Sequence, residues 1–193
     1  MSLWGATTTD ESKPKYLTDE EKRDCYANEK GWVKATRGTG DRAGRVHEEV
    51  LVAIGDLHGG QSTTAGLAHA TISSTRFVTT TLDAAAGGAF SAEVIFNEAV
   101  DVTGTPTMTV TNETDEARNV VLNYASGTGT NRLVFTATVA ADATTAADVL
   151  AVQADSLTKA GGSTIIDKGT DPAVDSTLTH VAQAATTKIT VGA

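Results

Sequence analysis

Short apolar runs recur through residues 90–173 and are separated by Gly, Pro, Asn, Asp and Thr. Within the run at residues 107–111, apolar and polar positions alternate strictly, so that Met108 and Val110 share one face. A side-chain period of two indicates a half-buried strand, and regularly spaced short strands joined by turn residues are typical of an antiparallel sandwich. The pattern therefore predicts a mainly β fold with an antiparallel β-sandwich at residues 75–193.

Two neighbouring runs are predicted to form a β-hairpin. Residues 118–125 place Val120, Leu122 and Tyr124 on one face. Residues 132–140 place alternate apolar residues inward and two threonines outward; these are Leu133, Phe135, Ala137 and Val139, with Thr136 and Thr138. The Gly-containing stretch between the two runs supplies the turn. Residues 90–96 are interpreted as a strand with Phe90, Glu93 and Ile95 on one side and Val94 and Phe96 on the other, so either side could point inward. A last strand is predicted at residues 188–191.

The first 74 residues show a different pattern and are interpreted as an extended N-terminal arm with a linker. Thr18 precedes three acidic residues, and Gly31 follows, which predicts a short helix over residues 19–30. Residues 32–36 and 45–54 are predicted to pair as a hairpin around a Gly-rich loop. Residues 59–74 are small and polar and are interpreted as a linker that could add a strand.

Four motifs lie in order within residues 90–173. They are FNEAVDVTGTPTMTV at residues 96–110, YASGTGT at 124–130, LVFTATVAAD at 133–142 and GGSTIID at 161–167. This series resembles the bacterial immunoglobulin-like repeats of large surface proteins and of some phage virion proteins. The resemblance implies an immunoglobulin-like sandwich with an adhesive or structural role. It implies no catalytic residue and no cofactor, because the motifs consist of turn and core positions.

The beginning of the chain shows a second resemblance. MSLWG, followed by the Pro-Lys-aromatic-Leu step at residues 14–17, resembles the starts of small structural proteins in tailed-phage virions. A tryptophan in such a polar segment is either without structure or an anchor for a pocket on a partner protein.

The charge distribution bears on the choice of partner. The net charge is −9, and residues 1–60 carry nine basic and eleven acidic residues, against six and thirteen in the remainder. Because binding to phosphates needs a basic surface, the acidic sandwich argues against a nucleic acid partner. No apolar run approaches the length of a membrane span, and no secretory signal is visible. The single Cys25, expected to be a packing residue, fits assembly in a reducing host cytoplasm.

The arm is the predicted partner-binding region. Its candidate contacts are three anchors and a secondary group formed by Trp32 and the arginines of the hairpin loop: Leu3, Trp4, Tyr16, Trp32, Arg37, Arg42 and Arg45. Large amphipathic side chains and arginine are enriched where protein interfaces bind most strongly. The arginine cluster could steer docking on an acidic surface, or it could simply be a solvated loop.

Two stretches suggest metal chemistry. Residues 55–59, GDLHG, match the first metal-binding motif of calcineurin-like metallophosphatases, but only His69 and His180 follow and neither adjoins an Asn. A two-metal site needs more ligands than these, so a Gly-rich turn is favoured. Scattered aspartates at 142, 148, 155, 167, 171 and 175 suggest calcium, but without the close spacing of a calcium loop they are expected to serve turns and caps.

Together these features predict a structural virion protein at the capsid surface. It would decorate the capsid in many copies, with the arm bound to the major capsid protein and no enzymatic activity. Two alternatives stay open. One is a structural protein of the neck or tail; the other is a cell-surface adhesion module that binds a host-surface glycan.

Overall fold

The computed structural model describes residues 13, 14, 16–28, 30–37, 46–53, 69–168, 175–184 and 187–193. The chain divides into two compact units, residues 1–68 and residues 69–193. The sequence analysis placed the boundary after residue 74, six residues later than this division. No helix within the described ranges is long and apolar enough to cross a membrane.

The residues of the first unit that the structure describes form one short helix and a three-stranded antiparallel sheet. The helix α1 spans Asp19–Arg23, and the strands are β1 (Cys25–Asn28), β2 (Gly31–Arg37) and β3 (Val46–Ala53), in the order β1-β2-β3. Strands β2 and β3 pair from Arg37↔Val46 to Gly31↔Ala53, which confirms the predicted hairpin. The loop that joins them, residues 38–45, lies outside the described residues.

The helix predicted over residues 19–30 is correct only at its beginning. Thr18 caps α1 as expected, but the helix ends at Arg23 and β1 follows. Cys25 and Ala27 pack on the cluster around Trp32, whereas Tyr26 packs on Val33 and Val50. Side chains that alternate between two faces define a strand, so pairing with β2 replaces the second half of the predicted helix.

The described part of the second unit contains nine strands. They are β4 (Ile72–Phe77), β5 (Gly88–Thr103), β6 (Thr107–Asn112), β7 (Val120–Ser126), β8 (Thr130–Val139), β9 (Val149–Ala151), β10 (Leu157–Thr158), β11 (Thr164–Asp167) and β12 (Ile189–Thr190). The order is β11-β5-β8-β7-β6-β9-β12, with β4 also paired to β5 and β10 to β6. Every pairing between these strands is antiparallel.

The strand faces predicted for β6, β7 and β8 are confirmed. Met108, Val110, Leu122, Leu133 and Phe135 are fully buried in one core cluster, which Val120 and Tyr124 join from its margin. Thr136 and Thr138 point to solvent, and β7 pairs with β8 as the predicted hairpin. The antiparallel strands around one apolar core are consistent with a β-sandwich.

Strand β5 pairs with β4, β8 and β11 and is buried on both faces, which explains why its sequence left both faces open. The predicted placement of Phe90 on the side of Glu93 and Ile95 is wrong, because side chains alternate along a strand. Phe90, Ala92 and Val94 belong to the core cluster, while Glu93 and Ile95 on the opposite face are also almost fully buried. The Glu93 carboxylate pairs with the buried guanidinium of Arg76 on β4. Burial of both faces removes the alternation of apolar and polar residues that marks a half-exposed strand.

Candidate interaction surface of the N-terminal unit

The seven predicted contact residues divide into three groups. Tyr16 lies at the surface of the first unit, and Trp32 lies in its interior. Leu3, Trp4, Arg42 and Arg45 lie outside the described residues, and so does the side chain of Arg37, whose main chain ends β2. The description of the candidate surface is therefore built on Tyr16 and on the elements that hold it.

Tyr16 is presented by a short turn. The Leu17 main-chain N–H donates to the Pro14 carbonyl at 3.3 Å, and the buried Leu17 side chain anchors this turn to the cluster around Trp32. Tyr16 itself is 69% exposed. Partial burial raises the pKa of its phenol, and the charges of Cys25 and Glu49 act in the same direction. A neutral phenol with an exposed ring offers a partner both apolar area and a hydrogen bond.

Trp32 contributes to the core of the unit. It is only 4% exposed and packs with Leu17 and Cys25, against Ala27 and Val52. The indole therefore stabilises the sheet and is not displayed at the surface. Cys25 is 1% exposed, which confirms its expected packing role, and burial raises the pKa of its thiol.

Val46 begins β3 directly opposite Arg37, the last residue of β2. The Val46 side chain is 51% exposed. It adds apolar area that a partner protein could contact.

Charged side chains connect α1 to the sheet. Lys34 Nζ lies 2.8 Å from Glu21 Oε1, and the Thr18 main-chain N–H donates to Glu21 Oε2 at 3.0 Å. These hydrogen bonds lower the pKa of Glu21 to about 2, with the Lys34 contact as the largest cause. On the sheet, the Tyr26 hydroxyl donates to Glu48, which raises the pKa of Tyr26 to about 12. These contacts fix the surface on which Tyr16 is displayed.

The hydrogen bonds of His180 in the second unit give it a structural role. Its Nε2 accepts from the Ser156 main-chain N–H at 3.1 Å, and its Nδ1 lies 3.0 Å from the Val181 carbonyl oxygen. Ser156 Oγ is also 3.2 Å from Nε2. Because the main-chain N–H already uses the lone pair of Nε2, the imidazole is not free to act as a base toward the serine hydroxyl. The hydrogen bonds between Ser156 and His180 hold together the two loops that carry these residues.

The aspartates take the turn and pairing roles expected of them. Asp142 and Asp155 adopt positive φ angles of 58° and 54°, which favour Asp and Asn in tight turns. Asp148 accepts from Asn112 Nδ2 at 2.7 Å, and Asp175 pairs with Lys159 at 2.8 Å. In the part of the chain that the structure describes, no group of three or more His, Cys, Asp or Glu side chains could hold a metal ion. The GDLHG motif and Asp171 lie outside that part.

Comparison of the chain with protein-family models, with curated proteins and with solved structures found no match. The resemblance of residues 90–173 to immunoglobulin-like repeats therefore depends on the motif residues and on the places they occupy in the fold.

Proposed function

We propose that this chain is a structural protein of a tailed-phage virion that decorates and stabilises the capsid exterior. The observation that carries the proposal is a compact N-terminal unit that displays Tyr16, joined in one chain to an antiparallel β unit built on the motif residues. In this proposal the first unit binds the major capsid protein, and the second unit is an immunoglobulin-like sandwich that projects outward.

The immunoglobulin-like assignment is supported by where the motif residues lie. Gly104 of the Val-Thr-Gly-Thr-Pro step has a φ of 77° and lies between β5 and β6. Gly127 of the Ser-Gly-Thr-Gly-Thr step has a φ of 115°, and a Cβ there would lie 2.0 Å from the Arg132 carbonyl oxygen. The Tyr124 hydroxyl accepts from the Thr128 main-chain N–H at 2.8 Å and fixes the same turn. These are the turn and core roles that the resemblance implies.

The binding chemistry follows from the displayed tyrosine. A tyrosine loses little conformational entropy when its ring is buried in a partner pocket. In this proposal the arginines of the hairpin loop add bidentate pairs with carboxylates of the capsid protein. Each contact is modest, but many copies bound at equivalent sites of a symmetric lattice together stabilise the shell. The acidic remainder of the chain, with six basic and thirteen acidic residues after position 60, suits an outward position away from packaged nucleic acid.

Substitution of the anchor residues tests the assignment of the binding region. We expect Trp4→Ala and Tyr16→Ala each to weaken binding to capsids of the encoding phage by about tenfold or more, as truncation of a central aromatic contact does. The measurement is co-sedimentation with capsids assembled without the protein, over a range of protein concentrations.

The matched control is Val121→Ala, which truncates a side chain that is 50% exposed on β7 of the second unit. It should bind as the unaltered chain does. If both anchor variants bind like the control, the N-terminal region is not the capsid contact. A Val121→Ala variant that alone loses binding would assign the contact to the second unit.

A further inference from the structure

Residues 176–184, which we call the strap, cross from one end of the strand order of the second unit to the other. The Ser176 main-chain N–H donates to the Ile165 carbonyl of β11 at 3.0 Å, and the Gln183 N–H donates to the Val152 carbonyl just after β9 at 2.9 Å. β11 is the first strand of the order, and β9 is the last but one. The strap therefore holds together strands that lie far apart in the sheet.

His180 is the side chain that fastens the middle of the strap. It is only 9% exposed, and its Nε2 accepts from the Ser156 main-chain N–H at 3.1 Å. A ring nitrogen that accepts carries no hydrogen, so the proton of the neutral ring is on Nδ1, which lies 3.0 Å from the Val181 carbonyl oxygen. The bond from Ser156 therefore exists only while the imidazole is neutral.

Protonation of His180 places two hydrogen-bond donors against each other. An imidazolium ring carries a hydrogen on both nitrogens, so the new Nε2–H points at the Ser156 main-chain N–H. The Ser156 hydroxyl, 3.2 Å from Nε2, can rotate to accept from the new N–H, but the main-chain N–H cannot turn unless the loop moves. A buried donor without an acceptor destabilises the state that contains it, so the protonated ring favours separation of the strap from the loop.

Asp155 is the acidic residue that faces this part of the strap. Its Oδ1 accepts from the His180 main-chain N–H at 3.1 Å. The cavity beside His180 is lined by residues 72–75 of β4, by residues 179–184 of the strap and by Thr187, and His180 is the one titratable residue among them. The negative charge of Asp155 favours uptake of a proton by the nearby ring, and the bond from Ser156 is the contact that this proton breaks.

We propose that the strap is a pH-sensitive closure of the second unit that is released when His180 is protonated. Histidine gains its charge as the pH falls from about 8 to about 5, so the strap is fastened above this range and released below it. Release separates the strap from Ser156 and Val152, and it frees Leu178, which packs on the core cluster while the strap is fastened. The proposal is independent of the capsid contact, because it depends only on the second unit.

Amide hydrogen exchange of the full chain, followed by NMR, measures release of the strap. Each exchange rate is divided by the intrinsic rate of that amide at the same pH, which removes the ordinary effect of pH on exchange. We expect the protection of the Ser156 and Gln183 amides to fall by about tenfold or more between about pH 7.5 and about pH 5.5. The Tyr124 amide, which donates to the Pro106 carbonyl at 3.0 Å, should keep its protection, because the strand that carries it stays paired.

Histidine variants identify the titrating group. His180→Gln retains an oxygen that can accept from the Ser156 N–H but cannot be protonated, so it should abolish the fall in protection. The control His69→Gln removes an exposed histidine of the same unit and should leave the fall unchanged. If His180→Gln does not fold, the unaltered chain provides the test, since the ring C–H signals of His180 must shift at the pH at which Ser156 loses protection.

Four results would overturn the proposal. They are equal protection of Ser156 and Gln183 at both pH values, a fall that persists in His180→Gln, and a fall whose midpoint differs from that of the His180 ring signals. The fourth is a simultaneous loss of protection at Tyr124, which would show that acid unfolds the whole unit and does not release the strap.

Discussion

Thr18 and Glu21 explain how a helix of five residues persists at the start of the first unit. The Thr18 hydroxyl accepts from the Glu21 main-chain N–H, and the Glu21 carboxylate accepts from the Thr18 N–H, which is a complete capping box. A helix this short does not form by itself in water. The ion pair from Glu21 to Lys34 on β2 supplies the tertiary contact that the isolated segment lacks.

A fall in pH should therefore lower the stability of the first unit by protonating Glu21. Its pKa is about 2 in the folded chain and 4.5 ordinarily, so the folded state favours the carboxylate. The stabilisation that the ionised Glu21 carboxylate supplies is complete above pH 4.5 and is lost as the pH falls from 4.5 toward 2. We expect the NMR signal of the Trp32 indole N–H, which reports on the core of the unit, to change over that range.

Two glutamine variants separate Glu21 from the other carboxylates of the helix. Glu21→Gln should lower stability at neutral pH and flatten its dependence on pH in this range. Glu20→Gln removes the same charge from the preceding position. In this variant, stability should depend on pH as it does in the unaltered chain. An unchanged profile in Glu21→Gln would show that the carboxylate is not the titrating group.

At the level of elements, strands with one buried face were predictable from the sequence. β6, β7 and β8 each alternate apolar and polar residues, and their buried faces were assigned correctly, as at Leu122 and Phe135. The short strands β9, β10 and β11 were not predicted, because segments of two to four residues are too short to show a period. Their positions are set by pairing with β6 and β5.

The helix prediction failed at Cys25 for a related reason. The cap and the acidic first turn correctly marked where a helix begins, but neither feature determines its length. The missed signal was Asn28 and Gly31, which pair at the end of β1 and β2, with Asn28 Oδ1 accepting from the Lys30 N–H at 2.8 Å. Asn and Gly are residues that favour a turn over a continued helix.

The candidate surface was predictable in part. Residue type indicates which side chains suit an interface, but it does not determine exposure, which depends on tertiary packing. Tyr16 and Trp32 are both large aromatics, and only the fold distinguishes the displayed residue from the buried one. The contact of Gln183 with the Thr75 carbonyl left no sequence signal, because the two residues lie more than 100 positions apart.

Strand β12 should be essential to the second unit. Ile189 and Val191 are 5% and 2% exposed and belong to the core cluster, and the Val191 N–H donates to the Asp148 carbonyl at 2.8 Å. Burial of two such side chains contributes about 3 to 6 kcal/mol. We expect a chain that ends at residue 187 to lose stability of that order, measured by urea unfolding.

Removal of Ala193 alone is the control for this truncation, because that residue is exposed. It should leave the unfolding midpoint unchanged. An unchanged midpoint after removal of residues 188–193 would show that β12 is an addition to the fold and not part of its core.

At the scale of the whole molecule, the two compact units have different compositions. The first 60 residues are nearly balanced, with nine basic and eleven acidic residues, whereas the acidic excess lies in the remainder. In the proposed function, the balanced unit binds a protein surface and the acidic unit faces solvent. Like charge on the outward units disfavours contact between neighbouring copies except where the capsid lattice places them.

The most direct test of this account is saturation of capsids that were assembled without the protein. The purified chain is added in increasing amounts, bound copies per shell are counted after sedimentation, and the shells are then heated. The account predicts saturation at a fixed ratio to the major capsid protein and a shell that withstands a higher temperature. Saturation at about a dozen copies or fewer would contradict decoration and indicate the neck or tail, since those parts offer few sites. No binding would contradict a virion role and favour surface adhesion.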